Sequence, residues 1–420
     1  MTAVPTDYDV TIAGAGMVGS CLALALARLP LRILVVDPAG ADSNSIPDES
    51  MFDARVTALA NGSQRILQAL DLWAALESHV QPIDTIHVSN RGSFGMARIR
   101  ASEESVTALG YTIENQHLQR VLLEGRSGWP NAEWQHTTRV TDAHRLPDRV
   151  EVTLDGEAGS SVVTTRLLVA ADGSRSGLRA TLGATVTEHD YGQTAIVANC
   201  TTQVPHGGVA YERFTATGAL ALLPLPRARS GFIWTLPSAE SAELVHCSDE
   251  VFKQALQKMF GYRLGRFVRL GKRQAYPLVA SSARPIAGQR LLLIGNAANT
   301  LHPVAGQGFN LALRDISILA EIIAGQCAAD TADPGGAAVL ESYQAWRRSD
   351  QDKVAWFTHN LISLFGNERL DLSLGRNLGL VFLDLLPGAK ALLARHTMGL
   401  AGRLPRLARG VGLDERRPRP

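Results

Sequence analysis

Residues 8–37, YDVTIAGAGMVGSCLALALARLPLRILVVD, decide the fold of this chain. A β-branched run at 8–13 leads into glycines, the segment 17–29 is apolar nearly all round, and a second aliphatic run follows at 31–36. This order predicts a strand, a buried helix and a parallel strand, a βαβ unit of about thirty residues. The uncharged stretch 10–27 lacks the basic residues that precede the apolar core of a signal peptide, so we interpret it as part of this unit.

The glycines of this unit match the GxGxxG pattern of dinucleotide-binding proteins. Gly14 would permit a tight turn, Gly16 would let a pyrophosphate approach the backbone, and Gly19 would let the helix pack closely on the strand. Asp37, after the second strand, would accept hydrogen bonds from ribose hydroxyls, and the phosphates would lie at the positive end of the helix. The pattern predicts a dinucleotide site, but it does not distinguish FAD from NAD.

Two later motifs make that distinction. Residues 168–179, LVAADGSRSGLR, give a strand, an acidic turn and a helix start, and residues 292–310, LLIGNAANTLHPVAGQGFN, give a strand, a polar loop and a second glycine-rich helix start. Together with GxGxxG, in this order and spacing, they resemble the single-component FAD-dependent aromatic hydroxylases, the flavoprotein monooxygenases typified by p-hydroxybenzoate hydroxylase. The resemblance covers nearly the whole chain and implies bound FAD.

Shorter matches narrow the resemblance. They are FDARVTAL at 52–59, YTIENQHL at 111–118, YERFTATGALALLPL at 211–225 and the text of 377–405. These segments are similar to the hydroxylases of ubiquinone biosynthesis, and most similar to the UbiH-like group, the 2-polyprenyl-6-methoxyphenol hydroxylases.

The resemblance implies roles for residues outside the first motif. The GxGxxG glycines and Asp37 would hold the adenosine half of FAD, while Arg55 and Asn115 would lie near the ribityl chain or the flavin edge. The second motif corresponds to a turn that the family links to both FAD and NADPH, through Asp172, Gly173 and Arg179.

The third motif would approach the ribityl chain and the flavin ring. Most of the wider family has an acid that holds the ribityl hydroxyls where this chain has Asn296, and an amide can still donate and accept hydrogen bonds there. Backbone N–H groups at 306–308 would face the flavin pyrimidine, where negative charge develops. The cofactor-binding residues that the resemblance implies in this motif are Gly295, Asn296, Pro303, Gly306, Gln307, Gly308 and Asn310.

Several of these residues have plainer interpretations. Arg55 alone would be a solvated surface charge, and Asp172 could cap the helix that follows it, with or without a cofactor contact. His302 is the candidate catalytic residue, as the base that would deprotonate a phenol, but it could equally be a loop histidine with no chemical role. We expect no metal site.

The activity implied by the resemblance is hydroxylation of a polyprenylated phenol by NAD(P)H and O2 through a flavin C4a-hydroperoxide. No second GxGxxG occurs, so NAD(P)H would bind in a groove as a co-substrate. Three alternatives stay open: a flavin-dependent halogenase, an isoprenoid reductase of the same fold, and a non-catalytic flavoprotein assembly subunit.

The rest of the chain predicts an α/β fold: a Rossmann-like FAD-binding domain with an inserted antiparallel β-sheet substrate domain and a helical C-terminus. We expect the FAD-binding domain at 1–80, 98–190 and 273–345, the substrate domain at 81–97 and 191–272, and a C-terminal helical region at 346–420. A single helix is expected at 62–79, because Ile66, Leu70 and Trp73 would share one face.

Composition excludes other classes of protein. The chain has 420 residues, 45% of them apolar, a net charge of +1 and four scattered cysteines, which favours a globular protein without nucleic-acid partners or a disulfide framework. Residues 388–420 carry eight basic and two acidic residues. The apolar residues interleaved with these charges predict docking to an anionic membrane or to a ubiquinone-biosynthesis assembly; these are Leu392, Leu393, Met398, Leu400, Leu404 and Leu407. We therefore expect a cytoplasmic protein, peripheral at the inner face of the cytoplasmic membrane.

Overall fold

The computed structural model describes residues 5–40, 55–91, 96–215, 217–300, 307–328, 333–348, 391 and 394–413. The strands in these residues are β1 (Tyr8–Ala13), β2 (Ile33–Val36), β3 (Val56–Ala60), β4 (Gln81–Ile83), β5 (Thr85–Asn90), β6 (Met96–Arg100), β7 (Gly110–Glu114), β8 (Ala132–Gln135), β9 (Arg139–Arg145), β10 (Val150–Gly156), β11 (Gly159–Ala170), β12 (Thr185–Thr202), β13 (Val209–Phe214), β14 (Ala219–Leu225), β15 (Arg229–Pro237), β16 (Phe267–Leu270), β17 (Gln274–Arg284), β18 (Ala287–Gly288), β19 (Leu291–Leu293) and β20 (Asn299–Thr300).

The α-helices are α1 (Met17–Leu26), α2 (Asn61–Ala69), α3 (Trp73–Leu76), α4 (Asn115–Glu124), α5 (Leu178–Leu182), α6 (Ser238–His246), α7 (Asp249–Phe260) and α8 (Gln307–Ala328). Residues 337–348 and 394–397 are also helical. Short 3-10 turns occupy Glu77–His79, Ala101–Glu103, Gly295–Ala297 and Leu407–Arg409.

The first sheet is built on parallel strands in the order β19-β11-β1-β2-β8. Strand β18 pairs antiparallel with β19, and β10 and β9 extend β11 as an antiparallel ribbon. The short runs β1, β2 and β19 are aliphatic and buried because helices cover both faces of a parallel sheet. Helix α1 is apolar nearly all round because it lies between this sheet and helices α4 and α8.

The second sheet has the order β20-β17-β12-β15-β14-β13-β5-β6, with β16 beside β12, and it is antiparallel except for the β13–β5 pair. Helix α7 covers one face, where Phe252, Leu256 and Phe260 pack on Phe232 and Trp234. A small sheet of β3, β7 and β4 contacts β14. The predicted α/β fold with an inserted antiparallel sheet is confirmed; the domain bounds stay a prediction, and β12 runs across the expected boundary at 190.

The helix expected at 62–79 is wrong as a single element. Helix α2 ends at Ala69, and Asp71 has a φ of 58°, so the chain turns before α3 begins at Trp73. Aspartate tolerates this left-handed conformation better than most residues, and Arg28 Nη2 lies 2.8 Å from Asp71 Oδ2. A periodic apolar pattern continues across the break because both helices bury residues in the same core.

The described part of the C-terminal tail packs on the protein instead of presenting an apolar surface. Met398 is 2% exposed and Leu407 is fully buried, so the expectation that these two side chains face a membrane or a partner is wrong. The Met398 carbonyl accepts from Gly62 N at 2.8 Å, and Arg314 donates to the Gly399 carbonyl at 3.0 Å. Leu392 and Leu393 lie outside the described residues. Within the described chain, no helix is both long and apolar enough to span a bilayer.

Burial of the tail makes it part of the folding unit. We expect Leu407→Ala to lower the free energy of unfolding by about 2–5 kcal/mol, because it leaves a cavity against a packed core. Arg409→Ala, two residues away on the surface, should change it by less than about 0.5 kcal/mol. Denaturant unfolding of both variants measures the difference, and equal stabilities would show that the tail is not anchored by Leu407.

Candidate cofactor site

The predicted cofactor residues follow strands that end in one row. Ala13 of β1 is in register with Val36 of β2 and with Ala170 of β11, and Ala170 is in register with Leu293 of β19. Backbone hydrogen bonds continue past the strand ends: Gly14 N donates to the Val36 carbonyl at 2.7 Å, and Ile294 N donates to the Ala170 carbonyl at 3.0 Å. The first, second and third motifs therefore begin side by side, on the edge where open α/β sheets bind ligands.

The three glycines of the first motif have different surroundings. Gly14 has a φ of 103°, and a Cβ there would lie 2.5 Å from the Ala171 carbonyl oxygen. A Cβ on Gly19 would lie 1.9 Å from the Gly14 carbonyl oxygen, so α1 could not pack on β1. A Cβ on Gly16 would meet nothing within 4 Å. The fold itself needs Gly14 and Gly19, whereas the space above Gly16 is open for a ligand.

Asp37 faces this open space. Its Oδ2 accepts from Ala15 N at 2.5 Å and its Oδ1 accepts from Ala39 N at 2.8 Å, which holds the carboxylate beside the glycine turn. A cavity of about 220 Å³ lies here, and its lining includes Gly16, Asp37, Gln119, Arg126 and His136. The cavity combines one acid with a helix N-terminus, as an adenosine diphosphate group requires.

Arg126 is a charged residue of this cavity that no sequence motif contains. Its Nη2 donates to the Ala15 carbonyl at 2.9 Å, and its guanidinium lies 4.5 Å from the ring centroid of Trp134. The Nε and Nη1 atoms are shielded from water and have no hydrogen-bond partner among the described residues. Burial lowers the pKa of Arg126, and the nearby charge of Asp37 opposes that shift. The sequence gives no signal for this position in the cavity, because Arg126 follows α4 outside any recognised motif.

Arg55 and Asn115 are joined by a backbone hydrogen bond. Asn115 N donates to the Arg55 carbonyl at 3.0 Å, and the Asn115 side chain accepts from Thr57 Oγ1 at 2.6 Å. These bonds join the start of β3 to the start of α4. The Arg55 side chain itself is exposed.

Arg179 joins the second motif to the third. Its Nη1 donates to the Ser174 carbonyl at 2.7 Å, its Nη2 to Asn296 O at 2.7 Å and its Nε to Ala297 O at 2.8 Å. All three nitrogens therefore bond protein carbonyls in this structure. Burial raises the pKa of Asp172, and Gly173 has a φ of 87°. The N-cap of α5 is Gly177, so the interpretation of Asp172 as a cap stays a prediction.

The third motif is described at its two ends. Gly295 has a φ of 57°, the Asn296 side chain is exposed, and a Cβ on Gly308 would meet nothing within 4 Å. Asn310 is 6% exposed; its Oδ1 accepts from Ala60 N at 2.8 Å and from the Ser63 hydroxyl at 2.7 Å, so it ties α8 to α2. Gln307 begins α8. The predicted residues His302, Pro303 and Gly306 lie outside the described residues, as does the Gln307 side chain.

Comparisons with known proteins agree with this geometry. A family model described as FAD binding domain matches residues 7–358. The ubiquinone hydroxylase UbiL of Rhodospirillum rubrum is 37% identical over 410 residues, which are 96% of this chain and 93% of that protein. The 3-demethoxyubiquinol 3-hydroxylase of Escherichia coli is 28% identical over 95% of this chain and 100% of that protein. The crystal structure of p-nitrophenol 4-monooxygenase PnpA from Pseudomonas putida superposes with a TM-score of 0.75 at 17% identity, over 96% of this chain and 100% of that one.

The chain belongs to the FAD binding domain family. The expected membership of the UbiH-like FAD hydroxylases and the expected class of enzyme, an FAD-dependent monooxygenase, are confirmed. At 17% identity the similarity to PnpA shows the fold alone. The residues present fit FAD, because the open space above Gly16 and the positive charge of Arg126 are what its pyrophosphate needs.

The different surroundings of Gly16 and Gly19 give a paired prediction. Gly16→Val should fold with a melting temperature near that of the deflavinated wild type but bind no FAD, because its side chain fills only the ligand's space. Gly19→Val should fail to fold stably, because its side chain would enter the backbone of Gly14. Flavin absorbance per protein and thermal melting measure both effects. A Gly16→Val protein with a full complement of FAD would show that the pyrophosphate binds elsewhere.

Proposed function

We propose that this protein is an FAD-dependent monooxygenase that hydroxylates a polyprenylated phenol in ubiquinone biosynthesis, with NAD(P)H as the reductant and a 2-polyprenyl-6-methoxyphenol as the favoured substrate. The observation that carries the proposal is similarity over nearly the full length to ubiquinone hydroxylases, in a chain whose three flavin motifs meet at one sheet edge. The name of the Rhodospirillum rubrum relative gives no ring position, whereas that of the Escherichia coli relative does, so the proposal covers the substrate class and leaves the position open.

Bound FAD would supply the redox chemistry with NAD(P)H and O2, and the protein would bind, orient and enclose the reactants. We propose that Gly14, Gly16 and Gly19 shape the pyrophosphate site and that Asp37 accepts from the ribose. Arg126 would add a positive charge beside the pyrophosphate. At the flavin end, Asn296 and Gly308 would contact the cofactor, while Arg179 would keep Asn296 in position.

Two further proposals concern the surroundings of the site. His302 remains our candidate for an acid–base role that its motif suggests. Peripheral association with the inner face of the cytoplasmic membrane or with a biosynthetic assembly remains attractive, because a polyprenyl phenol is insoluble in water. The exposed arginines Arg395 and Arg409 of the packed tail support it through charge alone.

Reconstitution tests the activity. We expect the purified protein to be yellow with non-covalent FAD, and to convert a 2-methoxyphenol with a short isoprenoid chain, NAD(P)H and O2 into a hydroxylated phenol that carries one atom of labelled O2. Product without oxygen incorporation would favour an isoprenoid reductase, and product that appears only with added halide would favour a halogenase. NAD(P)H oxidation that stays slow with every phenol, despite bound FAD, would favour the non-catalytic subunit.

The proposed role of Arg126 can be tested by flavin affinity. Arg126→Met should weaken FAD binding about tenfold or more, since a hydrogen bond or close contact between charged groups contributes about 1.5–3 kcal/mol. Arg139→Met removes an exposed arginine of β9 and should leave affinity unchanged. Titration of deflavinated protein with FAD gives both dissociation constants. Equal values for the two variants would limit Arg126 to its bond with the Ala15 carbonyl.

A further inference from the structure

Helix α7 covers one face of the second sheet, and we call the opposite face the inner face. The inner face lies against β3 and β7, the strands next to Arg55 and Asn115 in the sequence. Gly231 of β15 is on this face, where an added Cβ would lie 2.8 Å from Val56 Cγ2 of β3. Asn199 of β12 is paired with Gly231 of β15, and its side-chain Nδ2 donates to Glu114 Oε1 at 3.1 Å. Glu114 immediately precedes Asn115 in the sequence. The inner face is therefore a wall beside the flavin end of the proposed site.

Strand register identifies the side chains on this wall. One row runs across five strands, and its members are Val88 of β5, Glu212 of β13, Ala221 of β14, Ile233 of β15 and Val197 of β12. The row contains one carboxylate among four apolar side chains. Val88, Glu212 and Ile233 are each half-buried, so part of each side chain is accessible from the inner face.

Glu212 has no hydrogen-bond or ion-pair partner among the described residues. Its neighbour along the strand, Arg213, points to the opposite face because side chains alternate. Burial raises the pKa of Glu212 to about 7, with no contribution from a nearby charge. A carboxylate in an apolar row is stabilised when a ligand or water hydrogen-bonds to it.

The charged groups that face this wall lie several residues away from the row that contains Glu212. Arg229 of β15 donates from Nη2 to Oε2 of Glu114 of β7 at 2.7 Å, and the two form an ion pair. Arg229 lies four residues along β15 from Ile233. His117 lies 3.8 Å from Glu114, and Tyr276 shares the inner face on β17, paired with Ala195. The inner-face neighbours of Glu212 on β14, β5 and β6 are the uncharged Ala221, Val88 and Ala97. Within the described chain, Glu212 is thus the carboxylate available to a ligand at the centre of the wall.

We infer that Glu212 takes the role that the sequence suggested for His302: it is the catalytic base that accepts the phenolic proton of the substrate, and this inference rests on the proposed function. The phenol O–H bond breaks, a bond forms between that proton and a Glu212 carboxylate oxygen, and the electron pair stays on the phenolate oxygen. The negative charge moves from the protein to the ring, which makes the ring a better nucleophile for hydroxylation. The apolar members of the row would contact the ring and the first part of its isoprenoid chain.

The raised pKa of Glu212 suits this task. An ordinary carboxylate is a weak base toward a phenol, whose pKa is about 10, and a carboxylate with a pKa of about 7 is closer to it. The group accepts a proton only when ionised, so hydroxylation should rise with pH through about 7 and then level off. Protonation of Glu212 below that pH removes the base.

Ionisation of a bound phenol tests the inference directly. The probe is the same 2-methoxyphenol with a short isoprenoid chain, added to the FAD-bound protein, and its ultraviolet difference spectrum reports phenolate. Wild type should ionise the bound probe near neutral pH, whereas Glu212→Gln should bind it as the neutral phenol. Hydroxylation by Glu212→Gln should fall by about 10²–10⁴ in kcat, with little change in KM and without the rise near pH 7.

Matched variants separate this role from a structural one. Glu188→Gln makes the same substitution at an exposed position of β12 and should behave as wild type. A fluorinated probe that is already ionised at the assay pH should be hydroxylated by Glu212→Gln at close to the wild-type rate. Glu212→Asp, with its flavin content and melting temperature measured, should keep part of the ionisation if Glu212→Gln does not fold.

The outcomes distinguish the inference from the proposed function. If wild type yields no hydroxylated product, the proposed function fails and the role of Glu212 fails with it. If wild type is active and Glu212→Gln ionises and hydroxylates the neutral probe as well as wild type does, only the role of Glu212 fails. Loss of ionisation in His302→Ala but not in Glu212→Gln would give the role to His302 instead.

Discussion

The alignment of parallel strand ends is the constraint on which the rest of this structure depends. Ala13, Val36, Ala170 and Leu293 occupy one row, and the residues that follow them supply all three flavin motifs. At the first of these strand ends, α1 and β1 approach so closely that a Cβ at Gly19 would overlap the Gly14 carbonyl. The glycine turn therefore both allows α1 to pack on β1 and shapes the proposed cofactor site.

The two faces of the inserted sheet carry different kinds of side chain. Large aromatic side chains fill the face under α7, and their mutual packing stabilises the sheet. The inner face carries mainly small or aliphatic residues along β12, β14 and β15. The alternation of side chains along each strand makes one sheet both a hydrophobic core and a wall of a site. An apolar wall of this kind suits a substrate that is mostly hydrocarbon.

Local patterns predicted the parts of the site that local geometry determines. The roles of Gly14 and Gly19 in the turn and the order of strand, helix and strand follow from residues close in sequence, and so does the position of Asp37 beside Ala15. The cavity position of Arg126 depends on the path of the chain after α4, and the bonds of Arg179 to Asn296 and Ala297 join residues more than a hundred positions apart. The apolar and basic pattern of the tail fits a membrane-binding helix and a packed segment equally well, so only the fold could decide that Leu407 is buried.

Long-range contacts also explain how the third motif tolerates Asn296. Arg179 donates hydrogen bonds to the carbonyls of Asn296 and Ala297, and Asp315 accepts a hydrogen bond from the Gly295 N–H. Asp315 is itself buried and forms an ion pair with Arg347, whose side chain is fully buried. The turn at Gly295–Ala297 is thus held through its backbone, and the Asn296 side chain is exposed. At the proposed cofactor contact, an amide in place of an acid would change the side-chain charge and leave these backbone hydrogen bonds in place.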